Sequence, residues 1–370
     1  MKRRKFINQA AIGTTTAVAV TACAQNTNNS TTTENKSLPN IRWQMAASWP
    51  KSLDTIYGGA VTVCDRVKAM SGGRFQIEPF AAGEIVPGLE VMEAVQNGTV
   101  QCGHTASYYY IGQNPALAFA TSVPFGLTAS QHNAWLYQGG GLAAMQKIYS
   151  DFNIINFPAG NTATQMGGWF KRKVTSLSDL KGLKMRIPGL GGQVMSRLGV
   201  NVQVLAGGEV FLALERGAID AAEWVGPYDD EKLGLNKAAR YYYYPGWWEP
   251  GPTLEVQVNK KAWAKLPREY QEILKTAAIE ANVIMAAKYD VLNGEALDRL
   301  IASGTQLEVY STEIMETARE AAFDLYAENA RKDSTFKEVY EQWNKFRQQI
   351  LKWNKINELS FINFVANNTL

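Results

Sequence analysis

Arg186 stands at the predicted end of a β-strand, where its guanidinium is suited to binding a carboxylate. The alternation of residues 183–187 places the Arg186 side chain on the face opposite three apolar residues, and Pro188-Gly189 ends the strand. Ligands of α/β proteins bind at the carboxyl ends of strands, and the planar fork of arginine can donate two parallel hydrogen bonds to one carboxylate. We therefore predict an anion-binding arginine; a solvated arginine in a surface ion pair is the alternative.

Two acidic residues lie in surroundings that are otherwise apolar or aromatic. Glu223 follows two alanines in an apolar strand pattern and precedes Trp224. Because an unpaired buried charge is costly, Glu223 needs a partner, and a cation or a protonated ligand is a candidate; a structural salt bridge is the alternative. Glu249 lies in the segment 241–251, where six aromatic residues are framed by Pro and Gly. This segment suits the wall of a binding site, with core or interface packing as the alternative.

Further polar side chains offer hydrogen bonds rather than covalent chemistry. Asn161 and Gln165 carry amide donors and acceptors, whose default interpretation is loop hydrogen bonding. His104 and His132 are the only histidines, and neither has a metal-ligand partner at helical spacing. Nucleophile-elbow, HExxH, Walker A and dinucleotide-binding motifs do not occur in the sequence. The sequence therefore favours a binding protein; an exported enzyme that uses the two acidic residues as an acid–base pair is the rival hypothesis.

Alternating strands and helices must position these side chains. We predict strands over 41–49, 74–80 and 99–105, with helices over 55–70 and 90–96 between them. Strands that alternate with helices of this length favour a parallel α/β construction.

A short internal repeat indicates two similar halves. Residues 90–100 and 209–219 share five similar positions at an offset of 119 residues, and each predicts a helix, a glycine cap and a strand. The strand and turn that come before, 75–84 and 202–209, are also alike. We therefore expect two related α/β lobes with a ligand bound in the crevice between them.

The chain is predicted to become helical from about residue 262 onward. Long helical patterns cover 262–289, 311–331 and 334–367, and a strand-like stretch lies at 305–310. An apolar stripe with steps of three to four residues runs from Trp343 to Ile356 in the last of them. It indicates either packing across the two lobes or the interface of a homodimer.

The basic character of the chain is confined to its N-terminus. The 370 residues include 37 Lys and Arg against 34 Asp and Glu, and four of the basic residues are Lys2, Arg3, Arg4 and Lys5. Residues 1–22, with this twin-arginine start and a weakly apolar run, are predicted to be a twin-arginine export signal. A nucleic-acid-binding protein normally carries its positive charge on the folded body, so we exclude that class and expect a periplasmic protein.

A polar tether over residues 23–38 is predicted to follow the signal. Val20-Thr21-Ala22-Cys23 looks like a bacterial lipobox, in which the cysteine becomes the lipidated first residue. Ser, Thr and Asn dominate the residues after Cys23, as expected between a membrane anchor and a folded body. We therefore predict lipidation of Cys23, with an ordinary small residue near a cleavage site as the alternative.

Residues 41–370 resemble the solute-receptor subunit of a TRAP (tripartite ATP-independent periplasmic) transporter, and among these the receptors for 2-oxoacids. The resemblance runs in order through PKSLDTIYGGA, AAGEIVPG, GHTASYYY, NTATQMGGWF, LKMRIPGLGG, AAEWVGPYDDEKLG and YYYYPGWWEPGP. It implies that residues 39–370 form a two-lobed clamshell of the periplasmic-binding-protein kind, type II-like, with lobe-crossing helices and a long helical C-terminus. It also implies that captured solute is delivered to the small and large membrane subunits of the transporter.

The resemblance assigns roles to the residues singled out above. It implies that Arg186 is the carboxylate clamp. The positions around a bridging sodium ion, with calcium as the alternative, are Gln165, Glu223, the Trp224 carbonyl and Glu249. The positions that line the pocket are Tyr108, Tyr109 and Asn161.

The implied ligands are pyruvate and longer or branched 2-oxoacids, and related receptors are dimeric through their C-terminal helices. A receptor for a 2-hydroxy acid such as lactate, or for a dicarboxylate, is the alternative, and a structural envelope lipoprotein is a further one.

Overall fold

The computed structural model describes residues 38–367, which form an α/β fold with two β-sheets. The predicted export signal, Cys23 and the tether up to residue 37 lie outside the described residues. The strands are β1 (Ile41–Ala47), β2 (Phe75–Phe80), β3 (Cys102–Thr105), β4 (Ile154–Asn161), β5 (Trp169–Phe170), β6 (Lys184–Arg186), β7 (Asn201–Gln203), β8 (Ala221–Ala222), β9 (Tyr241–Tyr244), β10 (Thr253–Asn259) and β11 (Gln306–Val309). The helices are α1 (Ile56–Met70), α2 (Val91–Asn97), α3 (Ala118–Thr121), α4 (Ala129–Tyr137), α5 (Gly141–Ser150), α6 (Leu177–Leu180), α7 (Gly189–Arg197), α8 (Gly207–Glu215), α9 (Pro227–Leu233), α10 (Leu235–Ala238), α11 (Lys260–Ala264), α12 (Arg268–Ala302), α13 (Thr312–Lys332), α14 (Ser334–Ile356) and α15 (Glu358–Asn367).

Each sheet forms the centre of one lobe. The first sheet has the strand order β2-β1-β3-β10-β4, and β10 runs antiparallel to both of its neighbours. The second has the order β11-β9-β5-β8-β6-β7. The chain passes from the first sheet to the second between β4 and β5, returns between β9 and β10, and crosses again through α12 before β11. The predicted two-lobed α/β architecture is confirmed.

The internal repeat of the sequence corresponds to the same arrangement in both lobes. In the first lobe, β1 lies between β2 and β3 and is parallel to both, and α2 connects β2 to β3. In the second lobe, β6 lies between β7 and β8 in the same way, and α8 connects them. The glycines after the two helices, Gly98 and Gly217, have φ values of 78° and 75°, which glycine adopts without steric cost. The predicted helix, glycine cap and strand are therefore present twice.

The long helix α12 contacts both lobes. The Tyr270 hydroxyl of α12 donates to the Pro39 carbonyl of the first lobe at 2.8 Å, whereas Tyr289 donates to Asp229 of the second lobe at 2.6 Å. The predicted end of this helix at Tyr289 is wrong, because Gly294 alone does not end a helix and α12 continues to Ala302. Within residues 38–367, no helix has the length and apolar character needed to cross a membrane.

The C-terminal stripe divides into a covered and an uncovered part. Trp343 is 1% exposed and its ring lies 5.3 Å from that of Phe119, so this part packs within the chain. Further along α14, Trp353 and Ile356 are 56% and 69% exposed. The helix predicted to extend unbroken to residue 367 is interrupted at Asn357, after which α15 begins. The intrachain interpretation therefore holds only for the first half of the stripe.

Candidate ligand-binding site

Most of the side chains predicted to bind ligand meet in a crevice between the two lobes. A nearly filled cavity of about 10 Å³ lies there, which is about the space that one water molecule requires. The first lobe contributes Trp49, Tyr108 and Tyr109 to its lining, and the second contributes Arg186 and Trp224. The side chains of the two lobes therefore nearly fill the crevice.

Arg186 is the last residue of β6, and its side chain is almost completely buried, so the alternative of a solvated surface arginine is wrong. Nε donates to the Leu205 carbonyl at 3.1 Å, and Nη1 donates to the carbonyl of Glu223 at 3.1 Å and to its carboxylate. The guanidinium carbon lies 4.9 Å from the ring centre of Trp224. Nη2 is buried and has no hydrogen-bond partner within residues 38–367. These contacts orient the guanidinium and leave one nitrogen for an incoming carboxylate.

Glu223 follows strand β8, whose parallel pairing with β6 brings the acid beside Arg186. The Glu223 N–H also donates to the Arg186 carbonyl at 3.2 Å. The sequence predicted a carboxylate inside an apolar strand, but β8 ends at Ala222 and Glu223 lies just beyond it. Its Oε1 accepts from Arg186, whereas its Oε2 is buried and unpartnered among the described residues. Oε1 thus forms the structural salt bridge that the sequence analysis gave as the alternative, and Oε2 remains for a ligand or a cation.

Gln165 and Glu249 come from the two segments that connect the sheets, residues 162–168 and 245–252. The Gln165 N–H donates to the Glu249 carbonyl at 3.2 Å, and the Gly246 N–H donates to the Gln165 carbonyl at 3.0 Å. This approach requires glycine at position 246, because a Cβ there would lie 2.6 Å from the Gln165 carbonyl oxygen. The connecting segments are therefore joined at the point where two of the predicted cation ligands lie.

Aromatic rings of the first lobe form one wall of the cavity. Tyr108 and Tyr109 belong to the 3₁₀ turn after β3 and pack edge to face, with ring centres 4.9 Å apart. The Tyr108 hydroxyl donates to the Glu249 carboxylate at 3.4 Å. Trp49 was not predicted, and its indole N–H donates to His104 Nδ1 at 2.8 Å. Its position just after a strand of a parallel pair is the signal that could have identified it.

Apolar side chains complete the cavity. Ile56 at the start of α1, Leu254 of β10 and Val225 after Trp224 all line it. The sequence did not single them out, because apolar residues in helix and strand patterns are typical of the core. The cavity lining therefore combines a few oriented polar groups with apolar surface, which is typical of a small-molecule site.

The structure does not bring Asn161 to the cavity. Its Nδ2 donates to the Gly251 carbonyl and to the Thr253 hydroxyl, both at 3.1 Å, and its Oδ1 accepts the Ala163 N–H at 2.8 Å. These bonds hold the chain where it leaves the first sheet, so the default interpretation of loop hydrogen bonding describes Asn161. The next residue, Thr162, lines the cavity instead.

Burial sets the charge balance of the site. It raises the pKa of Glu223 to about 7, although the guanidinium of Arg186 acts in the opposite direction. Burial and, after it, repulsion from Glu223 raise the pKa of Glu249 well above its usual value. One guanidinium thus does not compensate two buried carboxylates, and a further positive charge in the site would stabilise both of them in the ionised form.

The residues present fit a cation with oxygen ligands. Gln165 Oε1 and Glu223 Oε2 are buried, and neither accepts a hydrogen bond from the part of the chain that the structure describes. With the Glu249 carboxylate and the Trp224 carbonyl they provide an all-oxygen set, which hard cations such as sodium and calcium prefer. Residues 38–367 contain no group of three or more His, Cys, Asp or Glu side chains arranged to hold a metal ion; the predicted set combines two carboxylates with an amide and a carbonyl.

Asp54 makes a further contact outside its own lobe. It lies in the turn before α1 and accepts hydrogen bonds from Tyr228 at 3.2 Å and from Lys232, both on α9 of the second lobe. Lys288 of α12 donates to the same carboxylate at 3.0 Å. Burial opposes ionisation here, but the hydrogen bonds from the two lysines outweigh it and lower the pKa of Asp54 to about 2.

A small, partly polar cavity between two α/β lobes is a common location for a small-molecule site. The family model of the bacterial extracellular solute-binding proteins, family 7, matches residues 45–333, and the chain belongs to this family. The resemblance deduced from the sequence is thereby confirmed, as is the prediction that the protein is a receptor rather than an enzyme.

Three similar proteins have named ligands. A monocarboxylate 2-oxoacid-binding periplasmic protein from Nostoc sp. is 68% identical over 366 residues, which cover 99% of each chain. A TRAP transporter solute-binding protein from Bordetella bronchiseptica is 46% identical, with a TM-score of 0.88 over 89% of this chain and 98% of its own. It was solved as a mixed-occupancy dimer with copurified calcium and picolinate bound in one active site. A TRAP periplasmic solute-binding protein from Pseudoalteromonas atlantica, solved with sodium and pyruvate, is 36% identical, with a TM-score of 0.85 over 88% of this chain and 99% of its own.

Proposed function

We propose that this protein is the extracytoplasmic receptor of a TRAP transporter and that it binds monocarboxylate 2-oxoacids, pyruvate among them, together with a bridging cation. The name of the Nostoc relative supports the ligand class over the full length of the chain. The observation that carries the proposal is the buried Arg186 nitrogen Nη2 near Gln165 Oε1 and Glu223 Oε2, all three without hydrogen-bond partners in residues 38–367. Arg186 and Gln165 line one cavity and Glu223 is paired with Arg186, so the site offers a donor for an anion and acceptors for a cation.

The chemistry of a 2-oxoacid explains why both kinds of group are needed. Its carboxylate oxygen and keto oxygen can chelate one cation, while Arg186 holds the carboxylate from another side. Picolinate, found with calcium in the Bordetella protein, likewise places a second donor atom next to a carboxylate. Sodium accompanies pyruvate in the Pseudoalteromonas protein and calcium accompanies picolinate in the Bordetella protein; sodium is our first choice of cation and calcium the alternative.

Calorimetry on metal-free protein tests the proposal. Pyruvate is titrated in choline buffer and again after sodium or calcium is restored, and we expect tight binding only with a cation. Propionate, which lacks the keto oxygen, is the matched control ligand. Lactate and a dicarboxylate test the alternative ligand classes, and NMR of the incubated pyruvate tests for turnover. Pyruvate affinity that is the same with and without cations would reject the bridging ion.

A second titration tests the arginine. Arg186→Lys keeps the positive charge, but one ammonium group cannot both replace the bonds of Nε and Nη1 and reach the ligand as Nη2 does, so we expect pyruvate affinity to fall at least 30-fold, which corresponds to about 2 kcal/mol. Lysine is preferable to alanine, because alanine would leave the buried Glu223 carboxylate without a positive partner. Wild-type affinity in the lysine variant would remove Arg186 from the ligand site.

We further propose that the receptor works in the periplasm, tethered through lipidated Cys23, and passes its ligand to the membrane subunits of the transporter. The lipobox-like sequence before Cys23 and the polar tether after it support the anchoring. Labelling of cells with radioactive palmitate tests it: label should enter the wild-type protein and be absent from Cys23→Ser. Equal labelling of both would reject lipidation at this residue.

The exposed apolar residues of the last two helices support a homodimer. Trp353, Ile356, Phe361 and Phe364 are between 56% and 71% exposed, and the Bordetella relative was solved as a dimer. We propose that these helices cover each other, or the partner's body, in the dimer. Sedimentation of residues 38–370 should give twice the monomer mass at tens of micromolar, and a monomer at that concentration would overturn this part of the proposal.

A further inference from the structure

Asp230 lies behind the segment that carries Glu223 and Trp224. It belongs to α9, is 1% exposed, and is not among the residues that line the cavity. Its Oδ1 accepts two backbone hydrogen bonds, from Val225 N–H and from Gly226 N–H, both at 3.2 Å. The carboxylate thus holds the two peptide groups that directly follow the predicted cation ligands.

The other oxygen of Asp230 is held by the second sheet. Oδ2 accepts from the indole N–H of Trp169 at 2.9 Å and from the Tyr242 hydroxyl at 2.7 Å. Trp169 of β5 and Tyr242 of β9 are stacked, with ring centres 3.9 Å apart and an angle of 14° between the rings. Both rings are buried, so the carboxylate has a rigid support on the side away from the segment.

The geometry of the peptide bond transmits this support to the Trp224 carbonyl. The Trp224–Val225 peptide is trans, and in a planar trans peptide the C=O and the N–H point in opposite directions. Because the Val225 N–H points at Asp230, the Trp224 carbonyl oxygen points away from Asp230. The orientation of this oxygen therefore depends on the hydrogen bond on the far side of the same peptide group.

We propose that Asp230 is a positioning residue for the cation, which orients the Trp224 carbonyl and the segment bearing Glu223 for coordination. The inference rests on the proposed function, and specifically on the bridging cation. Groups that hold metal ligands in place commonly change metal affinity by 10- to 100-fold when they are replaced. The purely structural interpretation is that the Asp230 carboxylate only caps the N-terminus of α9.

Asp229 supplies the matched control for that interpretation. It is the preceding residue of the same helical turn and is also fully buried. Its carboxylate accepts from Tyr289 of α12 at 2.6 Å, so it faces a helix rather than the cation segment. Asp229→Asn therefore removes a buried charge from α9 and leaves the peptide groups after Glu223 and Trp224 supported.

The test compares Asp230→Asn with Asp229→Asn by calorimetry on folded, metal-free protein. Calcium is titrated first without pyruvate, and we expect Asp230→Asn to bind it 10- to 100-fold more weakly than the wild type. Pyruvate affinity of this variant should return to the wild-type value when the calcium concentration is raised by the same factor. Asp229→Asn should keep the wild-type calcium affinity. A purely structural role would not produce a loss that calcium concentration restores.

Tyr242→Phe removes one hydrogen bond to Asp230 and keeps the stacked ring, so it serves if Asp230→Asn does not fold. We expect a several-fold loss of calcium affinity in this variant. If Asp230→Asn, or Tyr242→Phe in its place, bound calcium as tightly as the wild type and Asp229→Asn do, the role of Asp230 would be overturned. The proposed function would remain intact. Pyruvate binding by the wild type that needs no cation would overturn both.

Discussion

Gly207 allows a quantitative test of how tightly Trp224 must be seated. A Cβ at position 207 would lie 2.4, 2.8 and 3.0 Å from three carbons of the Trp224 indole, whereas ordinary carbon contacts are about 3.5–4.0 Å. The ring must therefore move by about 1 Å in Gly207→Ala. At Gly208, the next residue of α8, an added Cβ meets no atom within 4 Å. Gly208→Ala is thus a control with the same chemistry on the same helical turn.

The two substitutions should differ in both stability and binding. Alanine in place of glycine stabilises a helix by about 0.5–1 kcal/mol, and we expect Gly208→Ala to gain up to this amount. Overpacking costs about 1–3 kcal/mol, so Gly207→Ala should lose up to about 2 kcal/mol after the same helical gain. The displaced indole also contacts Arg186 and lines the cavity, so pyruvate affinity should fall about 10- to 100-fold.

Urea unfolding and calorimetry with pyruvate at saturating cation check these values. Wild-type pyruvate affinity in Gly208→Ala shows that a methyl group on this turn is harmless by itself. If Gly207→Ala bound pyruvate as tightly as Gly208→Ala, the position of the Trp224 ring would not matter for the site, and the reasoning would be refuted.

Three further changes test other contacts. Arg186→Met should lower the free energy of unfolding by about 3–5 kcal/mol, because it leaves the buried Glu223 carboxylate without its positive partner, and adding Glu223→Gln should recover part of this loss; additive losses in urea unfolding would contradict this coupling. Asp54→Asn should cost only about 0.5–1 kcal/mol at pH 7, because the pair is half exposed. Because the pKa of Asp54 is lower in the folded state, the ionised carboxylate stabilises the fold above about pH 3.8, and this stabilisation is lost as the pH falls through about 2. If Asp54→Asn still lowered the free energy of unfolding at pH 2, the loss would have another origin. Deletion of residues 358–370, which include α15, should raise the dimer dissociation constant at least tenfold in sedimentation; an unchanged constant would place the interface elsewhere.

Local patterns sufficed for the fold wherever an element has clear ends. The repeat of residues 90–100 and 209–219 was visible because a helix, a left-handed glycine and a strand each leave a signature in sequence. The end of α12 was placed too early: the residues from Tyr289 to Ala302 contain Gly294, but a single glycine does not end a helix. The interruption at Asn357 is not marked by a proline or a glycine pair.

The site was predictable in its chemistry but not in its pairings. Arg186 and Glu223 were each recognised from their own surroundings, yet their ion pair depends on β6 and β8 being neighbours, which strand order alone decides. Asn161 looked equivalent to Gln165, but the chain leaves the first sheet between them, and only Gln165 reaches the cavity. Asp230 could not be identified because its partners come from three separate segments of the chain.

Helix α12 has a mechanical consequence for the receptor. At 1.5 Å per residue its 35 residues form a rod about 52 Å long, joined to α1 through the Arg66–Glu280 pair and to α9 through the Arg299–Glu231 pair. A rod attached at both ends resists separation of the bodies that it joins, since it must bend or let go of one of them. At the α9 end the exposed ion pair, which is worth about 1 kcal/mol at most and is weakened by salt, is accompanied by the buried hydrogen bond from Tyr289 to Asp229. Separation of the lobes must therefore bend α12 or break its contacts with α1 or α9.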